Sequence, residues 1–261
     1  MLTLCTAWYR VNNKFRNNEY NVWMSNLLSS SNKFKVVLFT NTETYDEVKQ
    51  YECDNIHIVI KEFEDFHCAT DKWLENHERN DELNHKSKHN TDYKLNMIWN
   101  EKVAFVHDAF TRQIFDTEYY CWCDIGYFRN SQFPINEWPN EDKLKIVNKD
   151  TIHYCQIVHD HQLSILINKH LPNKDSKYIK GQLDPNQESI AGGFFLTHSS
   201  NIEWWFNQYY EIMNWYLDND MLIKDDQIII ITAFIHKWSC FTLIKARCGN
   251  KWFGFQDFLF S

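Results

Sequence analysis

"FDTEYYCWCDIGYFRN", residues 115–130, decides the fold. Aromatic strand formers run from Tyr119 to Trp122, and the run stops on a carboxylate, Asp124. Gly126 follows two residues later. An acid in that place is either a structural cap at a strand end or a group that holds a ligand. In open parallel sheets ligands bind beyond the carboxyl ends of the strands. The question is therefore which other strands end beside Asp124.

Upstream, "LTLCTAWY" (2–9), "FKVVLFTN" (34–41) and "IHIVIKEF" (56–63) are apolar and rich in β-branched or aromatic residues. Between them, 20–30 carries apolar residues at helical spacing, and "TYDEVKQY" reads as a short helix. This alternation predicts a parallel α/β sheet. A helix over about 93–115 leads into the Asp124 strand, with Trp99, Val103, Val106, Phe110 and Ile114 on one stripe. Residues 67–92, polar and rich in His and Asn, read as an exposed insertion. The spacing of His77, His85 and His89 fits no metal-ligand pattern well.

Downstream, 151–158 and 239–246 read as strands, and 162–171 as a helix. Residues 180–200 read as a loop, a Gly192–Gly193 pair and a short apolar strand. Ser200 and Glu203 have the spacing of a capping box for a helix over 200–217. "DDQIIIITAFIHKW" (225–238) reads as a helix capped by Asp225, although its four isoleucines also suit a strand. No internal repeat is visible.

Composition narrows the classes. The 261 residues, with 19 Phe, 13 Tyr and 11 Trp, can build one large core. Scarce Gly and Pro argue against disorder or a long linker. A formal net charge of -8 disfavours a general nucleic-acid binder, which needs a basic face. The eight cysteines include no CxxC pair, so Cys121 and Cys123 read as buried thiols. The N-terminus lacks the features of a signal peptide, and no apolar run reaches about 18 residues. A reducing cytoplasm is the expected compartment, with no transmembrane segment.

Thr6–Ala7–Trp8, Thr40–Asn41 and Asp124–Ile125–Gly126 fall at strand ends and can converge on one crevice. Lys102 and Asn100 stand early in the helix before the Asp124 strand, Gly192 and Gly193 allow close backbone approach, and "DDQ" (225–227) sets acids at a helix start. Each has a plainer reading: a solvated lysine, a tight turn, an N-cap.

The ordered set "IWNEK", "FDTEYYCWCDIGYFRN", "GGFF", "DDQ" resembles the HtrL/YibB (WlaTC-like) family of GT-A-type glycosyltransferases, from the first strand to about residue 240. The block "W-C-D-I-G-Y-F-R" is the most specific part. The resemblance implies a single GT-A-like, Rossmann-like α/β domain over 1–261. Residues 1–130 would be the nucleotide-sugar-binding half and 131–261 the acceptor-side half. It implies donor contacts from Thr6, Ala7, Trp8, Asn100, Lys102, Asp124, Gly126, Gly192 and Gly193. Asp226 and Gln227 would lie at the reacting carbon. Asp124 stands where such enzymes begin an Asp-x-Asp motif, but Gly126 replaces the second acid. A divalent cation, Mn²⁺ or Mg²⁺, would then be held weakly on Asp124, be held with another ligand such as His236, or be absent.

The expected activity is transfer of a sugar from a nucleotide-diphosphate sugar, UDP-linked by expectation, to a glycan, lipid-linked or protein acceptor. Lys102 or a metal would stabilise the leaving diphosphate, and Asp226 or Asp225 would take the acceptor proton. Trp8, Tyr127, Phe128, Trp252 and Phe253 could offer faces to sugar rings. The alternative is a non-catalytic nucleotide-sugar or glycan-binding protein with a degenerate site, which Gly126 favours. A nucleotidyltransferase fits less well, because "TAWYRVNNKF" has no glycine.

Overall fold

A computed structural model describes residues 1–12, 14–29, 33–86, 91–174, 176–246 and 249–260. In chain order the elements are β1 (Leu2–Ala7), α1 (Asn17–Leu28), β2 (Lys35–Thr40), α2 (Tyr45–Val48), β3 (Ile56–Ile60), α3 (Asp71–Lys86) and α4 (Tyr93–Thr111). They continue with β4 (Tyr119–Cys123), α5 (Glu141–Lys145), β5 (Ile152–Gln156), α6 (Asp160–His170), β6 (Ile190–His198), α7 (Ile202–Asp218), α8 (Asp226–Lys237), β7 (Phe241–Ile244) and α9 (Gly254–Phe258).

The strands form one seven-stranded sheet in the order β3-β2-β1-β4-β6-β5-β7. The first four run parallel, as their strand–helix alternation predicts. β6 runs antiparallel to both β4 and β5, so the second half is mixed. The chain is thus an α/β domain as expected, a parallel Rossmann-like half extended by a mixed one. Alternating strand residues feed two cores. Cys5, Val37, Tyr120 and Trp122 pack on one face of the sheet, against α4, α7 and α8. Leu4, Val36, Cys121 and Cys123 pack on the other.

The reversal of β6 positions the site. Cys123 pairs with Phe194, which brings the start of β6 to the carboxyl end of β4. Asp124 N–H then donates to Gly193 O at 2.9 Å. On the other side Cys5 pairs with Trp122, so Ala7 also ends beside Asp124.

Three local expectations need correction. Residues 71–86 are not an exposed insertion but a helix, α3, with Trp73, Asn76, Asn80 and Asn84 buried. Its inner stripe is asparagine rather than leucine. Asn76 and Asn80 each donate to Ile223 O at 2.9 Å, fastening the segment before α8. His77 and His85 ride on the outer part of this helix, and His89 lies outside the described residues. The capping box at Ser200 does not form. α7 begins at Ile202, and Glu203 instead meets His107 at 2.8 Å. The glycine pair lies inside the nine-residue β6, not ahead of it or in a turn.

α8 is helical despite its isoleucines. Ile228 to Ile231 are all buried, because the helix is enclosed on every side. Asp225 caps it, accepting from Gln227 N at 3.2 Å. Among the described residues, no helix is long and apolar enough to cross a membrane.

Candidate active site

A cleft of about 420 Å³ opens at the carboxyl ends of β1 and β4. Ala7, Trp8, Asp124, Gly126 and Gly193 line it. Tyr127, Trp252 and Phe253 are among its aromatic walls. Phe128 is not, because it packs beneath, against Trp138 and Phe133. Thr6 points away and is fully buried, and its hydroxyl has no partner among the described residues. Thr40 and Asn41 spend their side chains locally, on Trp8 O and on Thr44.

The floor of the cleft is a charged knot. Lys102, on α4, is buried. Its Nζ lies 3.1 Å from Asp124 Oδ1, 3.1 Å from Asp226 Oδ2 and 2.9 Å from Gly192 O. Three N–H groups thus face three acceptors. The Trp122 indole adds a 2.7 Å bond to Asp124 Oδ1. Burial acts to lower the Lys102 pKa, but Asp124 and Asp226 overcome it and hold the ammonium above its ordinary value. Burial pushes the Asp226 carboxyl up, while Lys102 pulls it down. The lysine lies 3.1 Å from each of two carboxylates, which favours the ionised arrangement.

This knot revises several expected roles. Lys102 is not a solvated lysine, nor does it face the cleft with a free donor. Asp226 is 5% exposed and sits under Gly192, where a Cβ would come within 2.2 Å of its Oδ2. Gly192 therefore makes room for Asp226 rather than for a sugar. Gln227 is tied back to Ile190 O at 2.7 Å. Asn100 is buried behind the cleft, between Asn96 O and the Tyr209 hydroxyl. Of the expected site residues, only Asp124 brings a cleft-facing charge, its side chain 41% exposed.

The expected metal ligands do not assemble. His236 lies ten residues along α8 from Asp226, about 15 Å at a helix's 1.5 Å rise. There it packs edge-on against Tyr178, with ring centroids 4.9 Å apart. Gly126 faces Trp23, and a Cβ there would meet that ring at 2.9 Å, so no acid fits without a shift. Among the described residues no three His, Cys, Asp or Glu side chains gather as a metal group. The donor set as it stands does not fit a divalent ion.

Two cleft cations escaped the sequence reading. Arg129 donates to Gly126 O at 3.0 Å, and its guanidinium lies 4.5 Å from the ring centroids of both Phe15 and Trp23. Lys14 stands 4.4 Å from the Trp99 ring centroid. Burial lowers the Lys14 pKa, while Asp225 acts to raise it. Arg129 closes the quoted "W-C-D-I-G-Y-F-R" block and could have been singled out there. Lys14 had no such signal. Asp225, beside the knot, is pushed up to about 7 by burial and by Asp226.

No protein-family model and no curated protein sequence matches the chain. Among solved structures it is similar to the apo form of mouse xyloside xylosyltransferase 1. That match has 12% identity and a TM-score of 0.43, covering 92% of this chain and 83% of that chain. At that level the likeness decides nothing about substrate or residue roles, and the functional reading rests on the cleft itself.

Proposed function

We propose that the chain is a glycosyltransferase that takes a nucleoside-diphosphate sugar, with UDP as the nucleotide, into the cleft at Asp124. The observation that carries this reading is the convergence of Ala7–Trp8, Asp124–Gly126 and Gly193 on one aromatic cleft that also holds Arg129 and Lys14. Strand ends supply the backbone edge for a nucleotide, cations suit a diphosphate, and aromatic faces suit a base or sugar ring. The ordered motifs "IWNEK", "CWCDIGYFR", "GGFF" and "DDQ" support the same reading and the HtrL/YibB-type assignment.

Within it, Arg129 and Lys14 meet the diphosphate, and their charge stabilises the leaving group. Lys102 and Asp226 act as positioning residues, fixing the Asp124 carboxylate at the cleft floor. Asp124 is the cleft-facing carboxylate best placed to meet a sugar hydroxyl. The acceptor, whether glycan, lipid-linked or protein, would approach from the 131–261 half, which supplies Glu188, Trp252 and Phe253 to the rim. A binding protein without turnover is the second reading. Burial of Asp226 favours it, since a buried, ion-paired carboxylate is a poor proton acceptor.

Melting curves with a panel of nucleotide sugars, followed by turnover assays with those that bind, test both. Ligand binding to the native state raises the melting temperature. Binding with transfer is the expected result, binding without transfer selects the second reading, and no binding removes both.

A further inference from the structure

We propose that the positive charge met by a nucleoside diphosphate in this cleft is built into the chain, so that donor binding needs no divalent ion. The inference rests on the nucleotide-sugar reading of the cleft and adds to it the source of the charge. A divalent ion bridging Asp124 and Asp226 would take the place that Lys102 Nζ already fills, 3.1 Å from each. The ammonium is buried and also bonded to Gly192 O, so it cannot move aside without losing three partners at once. Gly126, packed on Trp23, removes the position from which a second acid would bind an ion.

The remaining charge faces the ligand. Arg129 and Lys14 are the cations of the lining, Asp124 and Glu188 are its acids, and Lys102 beneath the cleft holds Asp124 and Asp226. Arg129 is held by Gly126 O through Nε, while its two terminal nitrogens form a planar edge suited to phosphate oxygens. Phe15, Trp23 and Phe253 around the guanidinium fix its plane before a ligand arrives. A metal ion is ordinarily recruited with the nucleotide. Here Arg129 and Lys14 already stand in the cleft.

The test is calorimetry of the full chain with UDP and with inorganic pyrophosphate, each in excess EDTA and in excess Mn²⁺. Affinities that agree within about fivefold between the two buffers support the proposal. Binding more than about fivefold tighter with Mn²⁺ overturns it while leaving the nucleotide-sugar reading intact. Failure of both probes in both buffers overturns the two together. Arg129→Gln should weaken UDP by about 10- to 100-fold in EDTA, the scale of a charge-assisted contact. An unchanged affinity would remove Arg129 from the diphosphate. Titration of Mn²⁺ into the wild-type chain, followed by its electron paramagnetic resonance signal with UDP present, gives an independent reading. The expected result is the signal of Mn²⁺ with UDP alone, and one further tightly held Mn²⁺ per chain would overturn the proposal.

Discussion

Substituting Gly192 by alanine puts the description of the cleft floor under direct strain. The added Cβ would lie 2.2 Å from Asp226 Oδ2 and 2.6 Å from both Cγ and Oδ1. Asp226 sits in the first turn of the enclosed helix α8, so its carboxylate can yield only by swinging off Lys102. Overpacking of a filled interior costs about 1–3 kcal/mol. Separating one partner of a buried ion pair costs about 3–5 kcal/mol. We take ~3 kcal/mol, where the two ranges meet. For a chain of this size each kcal/mol moves the melting temperature by roughly 2–4 °C, so Gly192→Ala should melt about 6–12 °C below wild type. Gly193→Ala is the control. Its Cβ would meet Asp124 Oδ2 at 3.3 Å, a contact relieved by a few tenths of an ångström in an exposed carboxylate. It should melt within about 2 °C of wild type, a cost below about 1 kcal/mol. Circular dichroism melts on the two variants side by side decide the matter. If Gly192→Ala melts with Gly193→Ala, Asp226 is not pinned between the strand and Lys102, and the knot is wrongly drawn.

The other perturbations probe separate parts of the account. Asp225 has a folded-state pKa raised to about 7, above its unfolded value, so the folded chain binds the extra proton and stability falls as pH rises through that interval. Asp225→Asn keeps a good N-cap and should flatten the decline in melting temperature between about pH 4 and 7; an unchanged slope would assign the decline to other groups. Asp124→Asn takes one of two carboxylates from the buried Lys102 ammonium, so it should lower the melting temperature and also alter UDP affinity in calorimetry, and equal affinities would leave Asp124 a purely structural partner of Lys102. Asn80→Ala removes a buried bond to Ile223 O and should cost about 1–3 kcal/mol in urea unfolding, whereas a neutral result would return α3 to the surface.

How far the sequence could be read depended on whether a segment's burial was written in apolar residues. β1 to β4 were legible because both faces of a parallel sheet demand continuous apolar runs. The reversal of β6 was not, since Ile190–His198 has the same composition in either direction and only its pairing with Cys123 fixes the sense. α3 was misread because three asparagines hold its inner face by hydrogen bonds. At the site, cleft-lining residues such as Ala7 and Gly126 followed from their places at strand ends. Asn100, Gln227 and Lys102 were singled out, but their buried contacts were not legible, because spacing does not reveal which way a side chain turns. Asp226 and Gly192 needed each other's coordinates to make sense. Lys14 carried no sequence signal at all, because only the folded chain sets it over Trp99.

The central claim is that the cleft at the ends of β1 and β4 is where a nucleotide sugar binds. A crystal structure of the chain soaked with a UDP-sugar in the presence of EDTA tests it most directly. The account predicts a diphosphate against Arg129 and Lys14, with Lys102 still between Asp124 and Asp226 and the sugar directed toward Asp124. Density for the nucleotide at another surface, with this cleft empty, would contradict it.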